Sequence, residues 1–200
     1  MELPTIHNWH IVIPGFLQNE GEPVGMVWLW NDLHHIHTGP ETAVVLREWK
    51  ADWNALAELI WRLRGNYRPR IAVYAYSWGG MSAMILARQL QGRGLDVDWM
   101  VLSDPVYRHW YSLGNWRLLV PWSRIVVPSN VRRVDWFQQR TDLPQAHRLV
   151  AADPTATHIG EPWEAFDVKH SYMDDLREFQ KRCREVARNL VPGESHALQS

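Results

Sequence analysis

Two hundred residues with 46% hydrophobic side chains and a formal net charge of −1 are enough for one α/β domain with a substantial core, and too few for two ordinary domains. The balanced charge leaves no broad basic field for nucleic acid or an anionic membrane, and no run approaches the roughly 18 apolar residues of a membrane span. Cys183, the single cysteine, excludes an internal disulfide, and the opening MELPTIHNWHIVIPGF lacks a basic region followed by a long apolar one, so a cytoplasmic chain is expected.

Apolar runs alternate with segments of helical period, the pattern of βαβ units on a mostly parallel sheet. WHIVI (9–13) is the first strand, ended by Pro14-Gly15. PVGMVWLWNDLHH (23–35) carries Val27, Trp30, Leu33 and His34 at helical spacing. TAVVLREW (42–49) is the second strand. Trp49, Trp53, Leu56, Ile60 and Leu63 then mark one face of an amphipathic helix whose other faces carry Lys50, Asp52, Glu58 and Arg62. Arg70 to Tyr76 is the third strand, and the helix from Met81 to Gln91 is stopped by Gly92 and Gly94. DVDWMVLSD (96–104) is the fourth strand.

Residues 106–130 are aromatic, interrupted by proline and weakly periodic, and are read as a cap or groove wall within a single domain spanning 1–200. VRRVDWFQ (131–138) is the fifth strand and EAFDVKH (164–170) the sixth. YMDDLREFQKRCREVARNL (172–190) is the last helix, with Ser171 and Asp174 arranged as an N-cap pair. Within that charged run Cys183 is expected to be solvated or half-buried. Thirteen tryptophans fit a ring-rich core, or an apolar pocket for a substrate. The last eight residues are expected to fray.

The segment YAYSWGG (74–80) sets Ser77 between a strand and a helix. A serine hydroxyl attacks a carbonyl only when a base takes its proton and fixed donors meet the oxyanion. A sharp strand-to-helix turn lifts the hydroxyl from the sheet, aims the N–H of Trp78 at the same point, and requires small neighbours. Ala75, Gly79 and Gly80 meet that requirement, Ala75 standing one methyl away from the glycine of G-x-S-x-G. On this segment alone, a structural turn serine and a nucleophile are equally good readings.

The partners should follow in the order acid, then histidine, at strand C-terminal ends. Asp104 closes the fourth strand and precedes Pro105, which is expected to hold it extended. Asp135 lies inside the fifth strand. Asp142 follows that strand and is the reserve acid. His170 stands between the last strand and the last helix, late enough to be the base. The second oxyanion donor falls to Phe16 N–H, or in second place Leu17, unless Pro14-Gly15 is only an ordinary turn. The group Asp32, His34, His35 and His37 matches no metal-ligand spacing, since His34 and His35 diverge by about 100° on a helix. No metal or cofactor is expected.

With these residues together, the chain resembles the α/β-hydrolase superfamily in a small lipase-, esterase- or thioesterase-like form of bacterial or phage type. The resemblance runs from Ile11 to about Leu190 and rests on IVIPGF, AVYAYSWGGMSA, VLSDPV and VKHSYMDD. It implies helices on both faces of a sheet of about six strands, with the second strand outside the first and the third to sixth following. It also implies a serine hydrolase that acts on a small acyl ester or thioester with an apolar portion through Ser77, Asp104 and His170. Two other readings stay open: an amidase or peptidase with the same triad, and a non-catalytic relative that binds an apolar ligand or a partner. Oligomeric state is not legible from the sequence.

Overall fold

In the computed structural model, which describes residues 4–16, 18, 24–107 and 124–190, the alternating pattern builds a seven-stranded parallel sheet with helices on both faces. The first half of the chain alternates β1 (Asn8–Ile13), α1 (Gly25–Ile36), β2 (Thr42–Leu46), α2 (Trp53–Leu63), β3 (Arg70–Tyr76), α3 (Gly79–Gln91) and β4 (Trp99–Ser103). The second half holds β5 (Arg124–Val127), β6 (Arg133–Gln139), β7 (Arg148–Ala151), β8 (His158–Ile159), β9 (Trp163–Ala165) and α4 (Arg177–Asn189). The main sheet runs β2-β1-β3-β4-β6, and β8 and β9 pair with successive parts of β6. This is the order the resemblance implied, with the sixth strand split in two.

The strands are nearly continuous apolar runs because both faces of the sheet are covered. Ile71, Val73 and Ala75 of β3 face a core shared with Trp53, Leu56 and Ile60 of α2 and Ala83, Met84 and Leu86 of α3. The alternate residues, Ala72, Tyr74 and Tyr76, face a second core built with Leu29 and Leu33 of α1 and Phe179, Cys183 and Val186 of α4. Among the described residues, no helix is long and apolar enough to cross a membrane.

Several expectations change. The sixth strand is not EAFDVKH: pairing ends at Ala165, and His170 opens a single 3-10 turn, His170–Tyr172. The last helix starts at Arg177, with Leu176 as its N-cap residue and no side-chain cap, so Ser171 and Asp174 form no capping pair. Met173 and Asp174 instead turn inward, Met173 into the core and its carbonyl onto Ser103 Oγ (2.7 Å). Cys183 is fully buried: the apolar stripe of α4 carries it inward, and burial pushes its thiol pKa up.

The helix after β2 begins at Trp53, leaving Trp49 on the preceding connection at the strand ends. A second, two-stranded parallel sheet, β5 with β7, was not foreseen; Ile125 and Val127 of β5 and Leu149 of β7 anchor it on the first core. Of the segment expected to form a cap, 108–123 lies outside the described residues, and 124–127 is β5. Leu17 and the last eight residues also lie outside.

Candidate active site

The turn after β3 places Ser77 at φ +53°, a left-handed conformation that costs a non-glycine residue on the order of 1 kcal/mol or more. Three bonds hold it there. The Ser77 N–H donates to the Ser103 carbonyl (2.9 Å), and the Ser77 carbonyl accepts from Gly80 N–H (3.0 Å) and Val106 N–H (2.9 Å). The small neighbours have specific reasons. A Cβ on Gly79 would lie 2.5 Å from the Ile13 carbonyl oxygen, and one on Gly80 would lie 2.7 Å from Pro105 Cβ. The turn is therefore wedged between the loops that follow β1 and β4.

Asp104, at the end of β4, is fully buried, and its carboxylate collects four donors. Oδ1 accepts from Ala146 N–H (3.0 Å) and Gln139 N–H (3.3 Å), and Oδ2 accepts from Gln139 Nε2 (3.0 Å) and His170 Nδ1 (2.5 Å). Its backbone is not extended before Pro105 as expected, but sits at φ +43°. The same turn that aims the carboxylate donates Asp104 N–H to the Phe137 carbonyl (2.8 Å), and these fixed bonds outweigh the local preference.

His170 Nε2 lies 2.8 Å from Ser77 Oγ. Because a carboxylate only accepts, Asp104 fixes the proton on Nδ1 and leaves Nε2 as the acceptor for the serine hydroxyl. The backbone of His170 is held separately: its N–H donates to Asp142 Oδ1 (2.8 Å) and its carbonyl accepts from Tyr76 OH (2.7 Å). Asp142, the reserve acid, thus meets the main chain of His170 while Asp104 meets the ring. Asp135 is engaged elsewhere, accepting from Trp99 Nε1 (2.7 Å) and Arg182 Nε (2.9 Å).

The loop after β1 lies directly on the serine. A Cβ on Gly15 would meet the Tyr76 ring at 2.9 Å and Ser77 Cβ at 3.1 Å. Phe16 and Trp78, named for their backbone N–H groups, also pack their rings 4.4 Å apart, and each ring meets Trp49, at 5.5 and 5.2 Å. Three successive strand ends thereby supply one aromatic shelf beside Ser77, with Phe16 46% exposed.

Asp32, His34, His35 and His37 do not converge. Asp32 pairs with Arg184 (2.8 Å), His34 and His35 are exposed on the last turn of α1, and His37 stacks on His10 (4.2 Å). Among the described residues no group of three or more His, Cys, Asp or Glu side chains is placed to hold a metal.

Gln139, Tyr76, Gln18 and Asp174 were missed. Gln139 serves Asp104, and its Nε2 also donates to the carbonyls of Asp142 (3.1 Å) and Pro144 (2.9 Å). The available signal was a glutamine at the C-terminal end of an otherwise buried strand, where a polar side chain needs a task.

No protein-family model and no curated protein sequence matches the chain. Among solved structures, it is similar to the NocB thioesterase domain in covalent complex with a fluorophosphonate nocardicin G analog, at 14% identity and TM-score 0.42, covering 93% of this chain and 96% of that one. It is also similar to the Vlm2 thioesterase domain carrying 2,3-diaminopropionic acid bound with a dodecadepsipeptide, at 9% identity and TM-score 0.39, covering 94% and 95%.

Proposed function

We propose that this chain is a serine hydrolase of the α/β-hydrolase type that cleaves carboxylic esters or thioesters through an acyl-enzyme. The observation that carries the reading is the continuous chain from Asp104 Oδ2 through His170 to Ser77 Oγ, at 2.5 and 2.8 Å, on a serine held at positive φ. Ser77 Oγ attacks the acyl carbonyl while Nε2 takes its proton. The resulting oxyanion is met by the N–H groups of Phe16 and Trp78, at the start of α3, whose dipole favours the negative charge. Asp104, desolvated and fully hydrogen-bonded, orients the imidazole and stabilises its charged form. His170 then returns the proton to the leaving oxygen or sulfur as the tetrahedral species collapses to the acyl-serine. Water, activated by the same Nε2, releases the acid and restores the serine.

The shelf of Phe16, Trp49 and Trp78 supplies the surface for an apolar portion of the substrate, which deepens the reading from any ester to one with an apolar group next to the carbonyl. Fluorophosphonate labelling of the wild-type protein beside Ser77→Ala tests the proposal. Wild type should label and hydrolyse p-nitrophenyl and thioester substrates, and Ser77→Ala should do neither; equal labelling of the two would sink the assignment.

A further inference from the structure

A second polar chain runs behind the turn at Pro14-Gly15-Phe16, and the catalytic array does not use it. Gln18 closes that turn twice: its N–H donates to the Gly15 carbonyl (3.3 Å), and its Oε1 accepts from Gly15 N–H (3.0 Å). Its Nε2 donates to Asp174 Oδ2 (2.9 Å). Asp174 is 2% exposed and belongs to the same connection as His170. A carboxylate has only acceptors, so the Gln18 amide must face it with nitrogen and face Gly15 with oxygen. The relay therefore has one polarity, set by Asp174.

The far end of the relay is anchored as firmly as the near end. The Asp174 carbonyl accepts from Gln180 Nε2 (2.6 Å), which also donates to the Gly25 carbonyl (2.9 Å). The preceding carbonyl, that of Met173, is held by Ser103, the neighbour of Asp104. Gly15, at the near end, is packed against Tyr76 and Ser77 so closely that a Cβ there would collide, so a shift of this turn moves Phe16 relative to the serine.

We propose that Gln18 and Asp174 are positioning residues for the hydrolytic reaction, fixing the Pro14-Gly15-Phe16 turn so that the Phe16 amide meets the oxyanion, and locking that turn to the connection that carries His170. The proposal rests on the hydrolase reading above. It gives the two loops a common fastening: the turn that carries the oxyanion donor and the connection that carries His170 meet at one carboxylate.

The test compares Gln18→Glu, Asp174→Asn and the double variant Q18E/D174N, using a p-nitrophenyl ester and its matched thionoester. Gln18→Glu sets two carboxylates face to face. Asp174→Asn forces its amide toward a donor, either Gln18 Nε2 or the first-turn N–H of Met26, which also bonds this carboxylate. Each single change should lower ester kcat by about 30-fold with KM within about threefold, part of the 10²–10³ that a lost oxyanion donor costs. In the double variant a carboxylate at 18 accepts from Gly15 N–H and from an amide at 174, whose oxygen still accepts from Met26. The donor order is restored, and ester kcat should return to within about fivefold of wild type.

Because sulfur is a weak acceptor for the oxyanion donors, the ester-to-thionoester rate ratio should fall in the single variants and recover in the double, a signature that general loosening of the fold does not produce. Gln18→Met removes the relay while leaving Asp174 its helix contact, and gives the same ratio measurement if the charge-altered singles do not fold. A wild type inactive on both substrates would overturn the hydrolase reading itself. An active wild type whose relay variants keep kcat, or lose it with an unchanged ratio, or are not rescued by Q18E/D174N, would overturn the relay.

Discussion

Strand β3 sends Tyr74 and Tyr76 to the same face of the sheet, and each hydroxyl meets a different histidine. Tyr74 OH lies 3.0 Å from the ring Nδ1 of His10. That ring is fully buried, its Nε2 has no hydrogen-bond partner among the described residues, and it stacks on His37. Burial, and then the neighbouring His37, push its pKa down to about 3. Tyr76 OH instead donates to the His170 carbonyl, which leaves both ring nitrogens of that residue for Asp104 and Ser77. A buried, aromatic, hydrogen-bonded histidine is thus not by itself a base. What separates the two is a carboxylate on one ring nitrogen, a hydroxyl on the other, and a backbone held by third parties.

The largest effect should come from removing the carboxylate that makes the difference. In Asp104→Asn, the side-chain oxygen stays with Gln139 N–H and Ala146 N–H, so the amide nitrogen faces His170. Nδ1 must then accept, the proton moves to Nε2, and the base faces Ser77 with no lone pair. We expect kcat to fall by about 10³-fold or more with little change in KM. Asp142→Asn can keep an oxygen on the His170 N–H and should cost no more than about tenfold. The reverse order of losses would make Asp142 the acid.

The pH dependence of stability separates buried groups of opposite sign. His10 titrates near 3 when folded and near 6.5 when unfolded, so the unfolded chain binds more protons between those values and stability falls as pH drops below 6.5. That amounts to roughly 2 kcal/mol between pH 7.5 and 5.0. His37, also lowered by burial, acts in the same direction.

Asp174 runs the other way. Burial first, partly offset by the Gln18 hydrogen bond, raises it to about 6 from 3.8, so the folded chain binds the extra proton and gains stability as pH falls through 6. That gain is on the order of 1 kcal/mol at pH 5.0. Urea unfolding at both pH values should therefore show a weak net slope for wild type. Removing the histidine term with His10→Gln should make acid more stabilising, and Asp174→Asn should make it more destabilising. Parallel slopes in all three proteins would remove both assignments.

The smallest effect sharpens the tyrosine comparison itself. Tyr76→Phe frees the carbonyl of His170 and should lower kcat by several-fold. Tyr74→Phe should leave kcat unchanged and cost only about 1 kcal/mol of stability, read by the same urea titration.

The βα alternation and the succession of Ser77, Asp104 and His170 were legible because each is written in local period, turn chemistry or order along the chain, whereas the strand order was implied only by the family resemblance. The remainder depends on tertiary placement. Gln139 reads as one more strand residue until β4 brings Asp104 beside it. Tyr172 to Leu176 has the composition of a helix start, yet Met173 and Asp174 are drawn inward by Ser103 and Gln18, so the helix waits for Arg177. Asp104 adopts a positive φ against its local preference because its N–H and carboxylate are both claimed by neighbours. The pairing of β5 with β7 joins segments whose short apolar runs carry no mark of each other.

The burial of Cys183 gives the molecule an internal clock. The chain has one thiol, sealed under α4 against Tyr74's side of the sheet and held protonated there, so an alkylating reagent can reach it only when that helical layer lifts. Ser77, 5% exposed at the strand ends and bonded to His170, reports instead on the catalytic array. Timed on the same sample, thiol capture would report the breathing of one layer and serine capture the competence of the strand ends, so a variant that loosens the scaffold is told apart from one that disables the chemistry.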